Sequence, residues 1–160
     1  VPKPFTPFQW ECQDSYDSLV EKQRYLAECI TDKKIRYTYH DAKTSFLEAV
    51  LARGDRRLCK VLEEGCKRGF NLDSWSEHFD FDAWMAGFEE CGLDPAFYAN
   101  RRRPYEEILP WDHLDYGVTK QFLIRENRLA PEAATTPNCR QACSGCGAAC
   151  WKEGVCVEKR

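Results

Sequence analysis

Apolar residues recur at helical spacing through much of the chain, interrupted by proline, glycine and aspartate. Leu19, Leu26, Cys29 and Ile30 share one face of a helix predicted from about Ser18 to Ile30. Lys34 to Tyr39 alternates with β-branched and aromatic residues, which reads as a short strand. Asp41 is placed to cap a helix bearing Phe46, Leu47, Val50 and Leu51, with Gly54 as its left-handed stop. A second helix follows at once, capped by Asp55, striped by Leu58, Val61, Leu62 and Cys66, and ended by Gly69. The near absence of a loop between the two predicts a tight corner.

Residues 70–80 are aromatic and acidic and read as irregular. Asp80 or Asp82 then opens a helix carrying Trp84, Met85, Phe88 and Cys91, stopped by Gly92 and Pro95. Arg101-Arg102-Arg103-Pro104 marks a turn, and Leu109-Pro110-Trp111-Asp112-His113 a proline-aromatic corner. Thr119 to Leu129 is the last predicted helix, with Phe122, Leu123 and Ile124 apolar. The expected fold is mainly α with one or two short β-strands. Its parts are an extended N-terminal arm over 1–16, an irregular helical domain over 17–130, and a linker with a Cys-rich tail over 131–160. No internal repeat is present.

Composition narrows the class. With 43% hydrophobic and 13% aromatic residues, 160 residues can bury one sizeable core or one core plus a small module. A net charge of -3, from 23 basic and 26 acidic residues, gives no global electrostatic pull toward nucleic acid or an anionic membrane. No apolar run approaches the roughly 20 residues of a membrane span, and the start has no signal-peptide pattern. The expectation is a cytoplasmic chain without a membrane partner. The proline-rich opening and the missing initiating Met read as the continuation of a longer polypeptide.

Ten cysteines are the compositional anomaly. Cys12, Cys29, Cys59, Cys66 and Cys91 are scattered singly, whereas Cys139, Cys143, Cys146, Cys150 and Cys156 crowd the end of the chain. Cys139, Cys143, Cys146 and Cys150, at separations of four, three and four, can wrap one metal centre. Thiolates suit zinc or iron–sulfur clusters, and Gly145 and Gly147 let backbone amides approach the sulfurs. Zinc usually prefers two separated C-x-x-C knuckles, so a single compact run favours an iron–sulfur cluster, with Cys156 able to replace any one ligand. The C-x-x-x-C-x-x-C spacing of Cys139, Cys143 and Cys146 also matches the S-adenosylmethionine-binding motif of radical S-adenosylmethionine (SAM) enzymes. Only 14 residues follow Cys146, too few to build such a site, so an auxiliary centre is the expectation.

The opening VPKPFTPFQW resembles the segment that leaves the barrel in cobalamin-type and methylthiotransferase-like radical SAM enzymes. The later sequence resembles, in order, the C-terminal region of an uncharacterised family of that type. It does so at His40-Asp41, Ser45, Leu47-Glu48, Ala52-Arg53-Gly54-Asp55-Arg56-Arg57, Leu109-Pro110-Trp111-Asp112 and Asn138-Cys139-Arg140. The resemblance implies an accessory region that covers the parent's radical SAM barrel and binds an auxiliary cluster. It also implies a parent using S-adenosylmethionine and, in many members, a cobalamin-binding-like domain. The barrel, its cluster cysteines and the cobalamin domain are not in this chain, so radical generation belongs to the parent and no residue here is expected to be catalytic.

The competing class is a zinc-stabilised helical module that binds RNA or a protein partner through its arginines. Arg53, Arg56 and Arg57 can meet a phosphate or the barrel, or can serve as a salt-bridged helix corner, and Arg101 to Arg103 form a second basic spot. A disulfide scaffold ranks last. His40, His78 and His113 are isolated and read as structural, His113 beside Trp111-Asp112 being the best functional candidate. The arm's Phe5, Phe8 and Trp10 are expected to form an exposed apolar patch.

Overall fold

The structure, a computed structural model, describes residues 1–148. Among these residues it contains six α-helices, three short 3-10 turns and no strand. The chain divides into two compact units, one of Val1–Pro2 with Glu11–Arg102 and one of Lys3–Trp10 with the chain from Arg103 onward.

The larger unit holds α1 (Tyr16–Cys29), α2 (Ala42–Ala52), α3 (Cys59–Lys67), α4 (Phe81–Glu90) and α5 (Pro95–Ala99). Side-chain caps set most of their starts. Ser15 accepts from Ser18 N, Asp41 from Thr44 N, Asp80 from Ala83 N and Asp94 from Ala96 N, each satisfying a donor that the first turn leaves orphaned. Asp80, rather than Asp82, is therefore the cap of α4. The five-residue α5 lies just past the expected stop, where Asp94 caps it and Pro95 takes the first position, which needs no N–H.

Two expectations in this unit are corrected. Lys34 to Tyr39 forms no strand, because no second segment offers it a ladder, and Ile35 and Tyr39 point to solvent. Gly54 is also not a left-handed stop. An added Cβ there would sit 2.0 Å from Leu58 Cδ1 and 2.9 Å from Val50 O, so the glycine permits the close approach that makes the corner. Gly69 (φ 85) and Gly92 (φ 64) do adopt the left-handed conformation after α3 and α4.

The core of this unit is Leu47, Ala49, Val50, Leu58, Val61, Trp84, Phe88, Tyr98 and Ala99. Each large side chain here contributes about 1.5–3 kcal/mol by leaving water. By contrast α1 buries none of its residues.

The smaller unit contains α6 (Lys120–Leu129), capped by Thr119, and a 3-10 turn over Pro7–Trp10. Its core is Trp10, Leu109, Trp111 and Leu123. Trp10 is completely buried and Phe5 is partly buried, while Phe8 stays half-exposed. The apolar patch expected of these residues is thus covered largely from within the unit. Gln9 is buried beside them, its Oε1 accepting from Phe5 N at 3.1 Å and Trp111 Nε1 at 2.7 Å. Those bonds offset the desolvation of a buried amide.

A candidate metal-binding loop at the N-terminus of α6

The cysteine loop is anchored to the start of α6. Thr119 Oγ1 accepts from Phe122 N as the helix cap, and the Thr119 amide donates to the carbonyl of Cys146 at 2.9 Å. Arg125 Nη2, on the same helix, donates to the carbonyl of Ser144 at 2.6 Å. Gly145 (φ 69) and Gly147 (φ 102) turn the chain through conformations that L side chains rarely adopt. At Gly147 a Cβ would lie 2.8 Å from Thr119 Cγ2 and 3.0 Å from Gly117 O, so glycine is required by both backbone and contact.

Upstream, Asn138 organises a turn. Its carbonyl accepts from Gln141 N and Ala142 N, and its Oδ1 accepts from Arg140 N. Cys139 stands at the head of this turn, Cys143 just after it and Cys146 at the helix anchor. All three are free, partly buried thiols. Cys150, the fourth expected ligand, and Cys156 lie outside the described residues. Among the described residues no three His, Cys, Asp or Glu side chains are grouped to hold a metal ion. The remaining described cysteines, Cys12, Cys29, Cys59, Cys66 and Cys91, are free as well.

The donor set nonetheless suits a thiophilic centre. Thiols are soft ligands, Gly145 and Gly147 free the backbone between them, and Arg125 reaches the loop at the Ser144 carbonyl. A metal or cluster held here would use Cys139, Cys143 and Cys146 with Cys150.

The arginine runs have internal employment. Arg53 is fully buried, Nη1 donating to Ala99 O at 3.2 Å, a role its sequence position did not reveal. Arg57 pairs with Asp55 at 2.6 Å and lies over the Phe97 and Tyr98 rings, and the Asp55 hydrogen bond raises its pKa above the ordinary value. Arg101 stacks 4.3 Å from the Phe97 centroid and donates to Phe97 O, and Arg102 pairs with Glu11. Arg103 is buried, with its amide donating to Trp10 O and its side chain 3.8 Å from Glu107. Arg56, Arg57 and Arg102 are exposed.

Of the histidines, His40 Nδ1 lies 2.8 Å from Ser45 Oγ and its carbonyl accepts from Gln23. His78 is exposed, its amide donating to Trp75 O. His113 is exposed on the rim of a cavity in the smaller unit.

No protein-family model, curated protein or solved structure matches the chain. Among the described residues no helix is long and apolar enough to cross a membrane.

Proposed function

We propose that this chain is the C-terminal accessory region of a radical SAM enzyme, covering the barrel and holding an auxiliary iron–sulfur cluster on Cys139, Cys143, Cys146 and Cys150. The assignment to that enzyme class rests on the ordered sequence resemblance. The metal role rests on one observation: a thiol-bearing loop tied by the Cys146 carbonyl to the cap residue of α6, through a glycine contact that no other residue fits. Such a cluster would supply one-electron chemistry or a ligand site for substrate. This chain's residues hold the loop, Thr119 through the Cys146 carbonyl and Arg125 through the Ser144 carbonyl. Metal binding and ordering of a short cysteine loop are coupled, because the thiols must deprotonate and converge together.

Zinc on the same thiols, in a module that binds RNA or protein, is the competing reading. The structure gives its arginine contact surface less to work with, since Arg53, Arg57, Arg101 and Arg102 are engaged within the unit.

Anaerobic reconstitution with iron and sulfide tests the proposal. Broad visible charge-transfer absorption, a paramagnetic signal on reduction, and loss of both in Cys143→Ser are expected. Gly147→Ala should weaken cluster retention without unfolding the helices. Stoichiometric zinc with no cluster after reconstitution would overturn the redox role. A barrel with its own three-cysteine motif encoded in the same reading frame is expected, and its absence would remove the radical SAM assignment.

A further inference from the structure

The smaller unit contains a cavity of about 360 Å³, within the range of small-ligand sites, whose lining the cluster reading leaves unused. Its apolar walls include Phe5, Trp111 and Tyr116. Phe5 reaches its place through a left-handed backbone (φ 61), uncommon for an aromatic residue, and its ring meets Tyr116 edge-on at 4.6 Å between centroids. Trp111 is held from behind by its bond to Gln9. The aromatic wall is therefore positioned by strain and by a buried hydrogen bond.

The charged lining is asymmetric. Asp112 Oδ2 is 3.2 Å from Lys120 Nζ and accepts from Leu109 N, while Lys120 also reaches the Glu107 carbonyl, so this pair is satisfied within the protein. Asp115 Oδ1 accepts from Gly117 N, and among the described residues no cation pairs with it. One carboxylate is left unmatched beside aromatic rings, whose faces attract cations.

We propose that this cavity binds the cationic end of an apolar-stemmed amine or guanidine, the stem packed against Phe5 and Tyr116 and the cation on Asp115. An arginine or lysine side chain of a polypeptide and a free polyamine-like molecule share this chemistry. The lining residues belong to the smaller unit, and none of them is a cysteine of the tail.

Titration of the whole chain with agmatine and, separately, with N-acetyl-arginine amide tests it, read at the Trp111 indole N–H resonance assigned by Trp111→Phe. Saturable shifts with at least one probe, and none with glutamate at equal concentration, are expected. Asp115→Asn keeps the turn acceptor and removes the charge, so it should weaken binding about tenfold. Lys120→Gln should strengthen it roughly threefold by unmasking Asp112, a change of sign that a merely structural role would not produce. A response to the amide identifies a polypeptide side chain, and a response to agmatine alone a free molecule. Cys139→Ser with Cys143→Ser should leave the affinity unchanged even where it abolishes the cluster. No saturable shift with either probe, an equal response to glutamate, or indifference to both charge variants overturns the proposal.

Discussion

The two units solve the burial problem differently. In the larger one, helices supply a nine-residue core in which Val50 and Val61 pack with Trp84 and Phe88, small residues such as Ala49 and Ala99 let backbones approach, and the polar Gln13 and Arg53 are buried as well. Among the described residues the smaller one has one α-helix, two 3-10 turns and irregular chain, and the polar Gln9, Arg103 and Asn127 are buried beside a core of only four apolar residues. Asn127 accepts from the Tyr105 hydroxyl, and Gln9 ties the first residues to Trp111. Apolar packing tolerates volume-conserving exchange, whereas a buried polar network penalises loss of any one partner. The unit with the less regular backbone carries both the cysteine loop and the cavity, as sites on irregular chain held by a packed scaffold commonly do.

The largest expected effect that separates the two comes from Trp10→Ala. It should cost about 3–5 kcal/mol in the smaller unit, read by urea unfolding and by lost amide-exchange protection along α6. Retention of that protection would show that the four-residue core is not what holds the unit. Gln9→Leu should cost about 1–3 kcal/mol despite adding apolar surface, because the Trp111 N–H loses its buried acceptor. A volume-conserving exchange in the larger unit, Leu47→Met, should stay under about 1.5 kcal/mol. Equal costs would erase the contrast.

Asp41→Ala should destabilise α2 by about 1 kcal/mol through loss of the Thr44 cap, seen as a shift in the denaturation midpoint at constant slope. The smallest effect is on pH dependence. Burial raises the pKa of Tyr98 in the larger unit and of Tyr116 in the smaller above the ordinary 10.0. A raised folded-state value means stability that is complete below 10.0 and falls as pH rises through it, since the unfolded chain loses these protons first. Tyr98→Phe should flatten that fall in alkaline thermal melts, and an unchanged slope would exclude Tyr98 as a source.

Much of this was legible from local signals. Asp41, Asp80 and Thr119 start helices where their side chains predict, because an N-cap needs only a short side chain and the following turn. Gly145 and Gly147 were readable as positions that free the backbone, whereas the turn organised by Asn138 was not anticipated. Lys34 to Tyr39 misled because a strand exists only with a partner, and alternation cannot say whether one is present. Gly54 was expected for the wrong reason, since its need arises from Leu58 folding back onto it.

The sequence by itself determined most of the helices, the caps at Asp41 and Asp80 and the gathering of soft ligands at the end of the chain, all properties of residues within a few positions of one another. The tertiary structure alone decided that Trp10 is core, that Arg53 is buried against Ala99, that Cys146 docks on Thr119, and that Phe5, Trp111 and Asp115 line one cavity. Those pairings join positions far apart in the chain, or depend on which surface a neighbour covers. Such contacts form when the chain collapses around a shared core, and no local pattern records them.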